Sequence, residues 1–164
     1  MRILGVDPGL RVTGYGIIQI PQNFSLEKEI ILVEAGIIRT KQDSGIAERL
    51  AKIHDSLSGA ILEQSPDVIV IERLYAHYKH PATAILMGHA RGVVCLLSGT
   101  QKIPLISIAS THVKKAVSGH GHAGKLQIQQ MVRHYLGLKN LPEPPDVADA
   151  LAIALCYAFS LTKR

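Results

Sequence analysis

The chain predicts an α/β fold: a mixed five-stranded sheet flanked by helices. Three observations carry that prediction. Two apolar runs, Ile3-Leu4-Gly5-Val6 and Val68-Ile69-Val70-Ile71, are too short for helices and are bounded by turn residues, the signature of buried strands. Longer segments between and after them repeat their apolar residues at close to helical period. The elements follow in the order βββαβαβααα, with no internal repeat and no low-complexity tract, and that order gives one sheet covered by helices.

Taken in sequence, the first strand runs over Arg2–Asp7 and is stopped by Pro8-Gly9. Gly9-Leu10-Arg11-Val12-Thr13 is a short connection, so a second strand over Gly14–Gln19 pairs with the first most simply as an antiparallel hairpin. Gln22-Asn23-Phe24-Ser25 is a polar turn before a third strand, roughly Glu29–Arg39. Gly45–Gln64 carries Ile46, Leu50, Ile53, Leu57 and Leu62 at near-helical spacing, and Ser65-Pro66-Asp67 ends it ahead of the strand that closes on Glu72. Pro81–Ser98 reads as a helix from its length and its proline start, and Ile103–Ile108 as a fifth strand. Short helices over Ser110–Val117 and Leu126–Leu136 flank a Gly/His-rich loop. Pro-rich Asn140–Pro145 leads to a closing helix over Asp146–Leu161.

At 164 residues and 47% apolar, the chain predicts one domain over residues 1–164 with a substantial core. Lys and Arg exceed Asp and Glu by 18 to 13, a net charge of +5. Acidic residues committed to a metal would leave the rest of the surface more basic still, which favours a polyanionic partner. Cys95 and Cys156 lie in apolar helical runs and read as buried free thiols, which suits a reducing cytoplasm; no spacing suggests zinc. A strand starting at Arg2 leaves no room for a signal sequence. The longest apolar stretch, Val147–Leu161, contains Asp149 and is too short for a bilayer, so a cytoplasmic protein is expected.

The chemistry is expected from four carboxylates. Asp7 and Glu72 each end an apolar strand, and ligands gather beyond the carboxyl ends of strands in open α/β sheets. Asp146 and Asp149 are three apart at the start of the last helix, which puts their Cβ atoms roughly 5–6 Å apart on one face. Each has a plainer explanation. Asp-Pro-Gly is an ordinary turn initiator, and an Asp at a helix start caps free N–H groups, which would account for Asp146. Capping accounts less well for Asp149, embedded in Val147-Ala148-Asp149-Ala150-Leu151. Acidic groups gathered at one place repel one another unless a cation neutralises them, so the set is a candidate Mg²⁺ site.

Four segments then resemble one family in order. Met1-Arg2-Ile3-Leu4-Gly5-Val6-Asp7-Pro8-Gly9-Leu10-Arg11-Val12-Thr13-Gly14-Tyr15-Gly16 closely resembles the opening of the RuvC family of Holliday junction resolvases. Ile71-Glu72-Arg73-Leu74-Tyr75, Gly88-His89-Ala90-Arg91-Gly92-Val93 and Asp146-Val147-Ala148-Asp149-Ala150-Leu151-Ala152 resemble its later segments. The resemblance covers nearly the whole chain, and its motifs are specific in combination. It implies a ribonuclease H-like fold and a homodimer that nicks four-way DNA junctions symmetrically, leaving 5′-phosphates, in recombination and repair alongside the RuvA–RuvB branch-migration complex. It implies that Asp7, Glu72, Asp146 and Asp149 are the catalytic carboxylates, holding two Mg²⁺ ions ~3.5–4 Å apart, with Mn²⁺ a substitute.

The same resemblance implies that Tyr75 stacks on bases where the family usually has Phe, and that Lys114 and Lys125 hold phosphates. Gly124 departs from the charged or bulkier residue usual before that lysine. Arg11, beside Asp7, is a further phosphate candidate. His120 and His122 alternate with glycines in a loop and are assigned no ligand role, since hard-cation chemistry needs no imidazole. Ala84, Gly88 and Gly92 recur every fourth residue, a stripe that either packs on the chain's own sheet or, as the resemblance implies, on a second copy. Three rivals stand beside this reading: another ribonuclease H-like nuclease, an ATP phosphate loop of the actin and sugar-kinase type, and a junction-binding module without activity. The second needs two like domains, for which the length leaves no room.

Overall fold

The computed structural model describes residues 1–25, 29–74 and 81–162. Its strands are β1 (Arg2–Asp7), β2 (Val12–Gln19), β3 (Ile31–Arg39), β4 (Val68–Glu72) and β5 (Leu105–Ile108). Its helices are α1 (Ile46–Gln64), α2 (Pro81–Gln101), α3 (Ser110–Ser118), α4 (Lys125–Tyr135) and α5 (Pro145–Leu161). The order of elements is the expected one.

The five strands form one sheet in the order β3-β2-β1-β4-β5. β1 pairs antiparallel with β2 and parallel with β4, so the sheet is mixed and β1 lies at its centre. Side-chain alternation divides the sheet's residues between two cores. Leu4, Val6, Ile69 and Ile71 pack with Ile53, Leu57 and Ile61 of α1 and Val94 and Leu97 of α2. Ile3, Val68 and Val70 pack on the other side with α3, α4 and α5. Each fully buried Ile or Leu adds about 1.5–3 kcal/mol of transfer free energy, and both faces are covered. By the same parity Asp7 follows Ile3 and Gly5, and Glu72 follows Val68 and Val70. Both carboxylates therefore leave the sheet on the α5 side.

α5 is the centrepiece of that side, apolar around nearly its whole circumference and buried accordingly. It lies unusually close to the sheet because β1 and β2 offer glycines beneath it. A Cβ at Gly5 would overlap the carbonyl oxygen of Ala150, and one at Gly14 would overlap that of Asp146. Asp7 and Gly14 face each other across the β1–β2 ladder. The first turn of α5 is thereby seated beside Asp7.

Several expectations need correction. Leu62 is 75% exposed, and Ile61 takes the place in the core that the spacing assigned to it. α2 runs on past Ser98 to Gln101, because the Ser98 hydroxyl donates to the Ile103 carbonyl (2.6 Å) and the chain turns only at Lys102, with φ of 54°. β5 begins at Leu105, since Pro104 has no N–H to give a ladder. Cys156 is buried but Cys95 is exposed. α2 is apolar on both faces, so an apolar neighbourhood in sequence did not mean burial there.

Candidate active site

The site is assembled by three elements. Val6 lies beside Ile71 in the parallel β1–β4 ladder, so Asp7 and Glu72 emerge together at the carboxyl ends of adjacent strands. α5 adds Asp146 in its first turn and Asp149 one turn on. Pro145 occupies the first helical position, and no side chain caps this helix, so the capping explanation for Asp146 fails. Asp149 is half-buried, as its apolar neighbours predicted.

The four carboxylates are close enough to disturb one another. Burial is the largest influence on Asp7, followed by the charges of Asp149, Glu72 and Asp146; together they raise its pKa from 3.8 to about 7 against the opposing pull of Lys125. Burial also raises Glu72; a hydrogen bond from Ser110 and the charge of Lys114 oppose this, and Asp149 reinforces it. Asp149 is raised chiefly by burial and also by Asp146, although Lys125 and Lys114 both lower it. Lys114 and Lys125 thus stand near the cluster and do not neutralise it. A group of half-buried carboxylates left short of positive charge has the character of a cation site.

The donor chemistry fits a hard divalent ion, since every ligand offered is a carboxylate oxygen. Among the described residues no three His, Cys, Asp or Glu side chains stand as a finished ligand set. The carboxylates are near enough to act on one another's charge.

Two clefts meet here. A small one of about 130 Å³ is lined by Asp7, Pro8, Glu72, Arg73, Leu74, Met87 and Arg91. A wider groove of about 780 Å³ shares Met87 with it and runs from Asp146 past Gly9–Val12 to Gln42 and Arg49. Arg11 lies in this groove with its guanidinium against the Gln42 amide. Arg49 donates to the Leu10 carbonyl (3.1 Å) and Thr13 to that of Gly9 (2.7 Å), which fixes the turn after Asp7. A third groove, about 410 Å³ between β3 and residues 138–144, contains none of the four carboxylates.

Tyr75 lies outside the described residues. His120 and His122 are exposed and take no part in the cluster. The small-residue stripe of α2 does not pack on its own sheet, for a Cβ at Gly88 or Gly92 would meet nothing within 4 Å. The sequence reading missed two residues. Ser110, at the start of α3, looks like any helix-initiating serine yet hydrogen-bonds Glu72. Arg91 stands out only as the one charged residue in α2; it is half-buried and donates to the Glu72 carbonyl.

A family model for "Crossover junction endodeoxyribonuclease RuvC" matches residues 3–157. A protein of that name from Rhodopirellula baltica is 46% identical over 155 residues, covering 94% of this chain and 84% of its own. One from Syntrophotalea carbinolica is 40% identical, covering 96% and 94%. Among solved structures, T. thermophilus RuvC in complex with a Holliday junction substrate superposes with a TM-score of 0.90 at 31% identity, over 99% of this chain and 96% of that one. The Fowlpox virus resolvase superposes with a TM-score of 0.60 at 18% identity, a likeness of fold.

Proposed function

The chain belongs to the RuvC family of crossover junction endodeoxyribonucleases, and from that premise we propose that it resolves four-way DNA junctions by paired, symmetric nicks that leave 5′-phosphates. The observation that carries this is the carboxylate cluster, where Asp7 is held near neutrality despite the two adjacent lysines. Asp7, Glu72, Asp146 and Asp149 would hold two Mg²⁺ ions, or Mn²⁺ in their place. When bound, such ions supply a water-derived nucleophile at neutral pH and charge stabilisation at the leaving oxygen. Lys114 and Lys125 hold DNA phosphates near the scissile bond, and Arg11, in the wider groove, binds a further backbone phosphate. Tyr75 stacks on a base near the crossover.

A single nuclease unit spans the chain and works as a homodimer joined through α2, placing one carboxylate cluster at each of two symmetry-related strands. Ile85, Leu96 and the open surfaces of Gly88 and Gly92 on that helix suit a second copy. The protein acts in recombination and repair in the cytoplasm, downstream of the RuvA–RuvB motor. No helix among the described residues is long and apolar enough to cross a membrane. The test is a gel assay on a four-way junction, a linear duplex and an RNA–DNA hybrid, with and without Mg²⁺. Cleavage of the junction alone, and only with Mg²⁺, is the expected result. Cleavage of the hybrid with the junction left whole would replace this reading with that of another ribonuclease H-like nuclease.

A further inference from the structure

Arg91 is the one Lys, Arg, Asp or Glu in α2, and it lies next to Ala90, which is fully buried. A charged side chain carried on a helix packed against the sheet is costly unless its donors are satisfied. Those donors reach across to the carboxyl ends of two strands. Nη1 donates to the backbone carbonyl of Glu72 (2.5 Å), and Nη2 donates to the Ser107 hydroxyl (2.8 Å). Ser107 lies beside Ile71 in the β4–β5 ladder, and the next backbone bond, Arg73 N–H to the Ile108 carbonyl (2.7 Å), closes it. The guanidinium therefore clamps the last residue of β4 to the neighbouring strand, where the ladder ends.

The Glu72 carbonyl is thus held by Arg91, while Ser110 and Lys114 act on its carboxylate by favouring the charged form. Arg91 makes no ion pair among the described residues, although it lines the same small cleft as Asp7 and Glu72. It addresses the backbone of the acidic residue and leaves the carboxylate oxygens available. A rigid planar fork with two fixed acceptors sets direction as well as distance, which a lysine ammonium cannot reproduce.

We propose that Arg91 is a positioning residue for the reaction, fixing the Glu72 backbone so that its carboxylate is aimed at Asp7. The inference rests on the nuclease reading above. Small displacements of reacting groups cost as much as ~100-fold in rate, so Arg91→Met should lower kcat on a four-way junction by about that factor with KM little changed. Mn²⁺ binding to the DNA-free protein, followed by calorimetry, should weaken in the same variant. Junction affinity in EDTA should match that of the unaltered protein. Arg91→Lys should recover part of kcat by reaching one acceptor, and Ser107→Ala, which removes the second acceptor, should show a milder loss of the same kind.

Unaltered protein that cleaves junctions alongside an Arg91→Met variant of equal kcat would overturn the inference and leave the nuclease reading intact. A loss seen in junction affinity with kcat kept would make Arg91 a phosphate contact instead. Equal losses in Arg91→Met and Arg91→Lys that track a fall in Tm would reduce it to a folding residue. Failure of the unaltered protein to cut any junction would sink the nuclease reading and this one with it.

Discussion

Asp7 carries most of the chemistry that a single residue can carry here. In the metal-free protein it keeps its proton up to about pH 7, whereas in the unfolded chain it gives it up near 3.8. A carboxyl whose folded pKa is raised contributes stability that is complete below the unfolded value and lost as pH climbs through the folded one. Asp7→Asn removes that loss. In EDTA the variant should therefore melt at a higher temperature than the unaltered protein at pH 8, with the gap closing towards pH 4; a gap independent of pH would mean that charge crowding is not its cause. The same variant should lose Mg²⁺-dependent cleavage while binding junctions in EDTA at least as well, since a negative charge facing phosphate is gone. A divalent ion must displace the shared proton, so raising Mg²⁺ should shift the acid limb of the activity profile to lower pH. Lys114 and Lys125 act in the opposite sense on the same cluster. Replacing either with Ala should weaken junction binding and make its salt slope shallower by about one unit, and binding measured against salt concentration checks this.

At the scale of elements, the site depends on how closely α5 can lie on the sheet. Gly14 faces Asp7 across the hairpin, and a methyl there would run into the Asp146 carbonyl. Gly14→Ala should thus lift the first turn of α5, costing about 1–3 kcal/mol in denaturant unfolding as overpacked sites do. Cleavage should suffer more than junction affinity, because Asp146 and Asp149 move with the helix; equal falls in both would argue against it. Much of this arrangement was legible in the sequence. Asp7 and Glu72 each end an apolar run and helical spacing places Asp146 beside Asp149, so the candidate residues were legible, while the parallel β1–β4 register is what sets the two strand ends side by side. It is silent on what reaches across elements. Nothing local marks Gly14 as the floor beneath α5, or Ser110 and Arg91 as the partners of Glu72. Where a helix is apolar on all sides, as α2 is, periodicity loses its power to say which face is buried. That is why an apolar setting in sequence leaves Cys95 exposed, and why the spacing of Gly88 and Gly92 alone does not say which way their stripe faces.

At the scale of the molecule, the proposed function needs two clusters at once. One cluster nicks one strand, and a four-way junction is resolved only when two strands related by its two-fold axis are cut. In the proposed dimer α2 would supply the surface for a second copy: its inner face is consumed by Ala90, Val94 and Leu97, while Ile85 is 60% and Leu96 57% exposed on the other. An apolar helix face of this kind, with glycines that permit close approach, is self-complementary across a two-fold axis. The chain's net charge of +5 opposes the approach of two copies at long range, so a contact through α2 would rest on apolar packing and should tighten as salt screens that repulsion. Leu96→Asp places a like charge from each copy against the other in this surface, and sedimentation should shift the variant from dimer to monomer. Leu96 is remote from the carboxylates in the sense that matters, being exposed and outside both clefts, so the fold and metal binding should persist. Strand-labelled junctions then separate chemistry from symmetry. The unaltered protein should give paired cuts at symmetric positions that a ligase can seal, and the monomeric variant should give isolated nicks at a reduced rate. Paired, symmetric cutting by a species that sediments as a monomer would break the link between α2 and junction resolution, because one cluster has no means of finding the second strand.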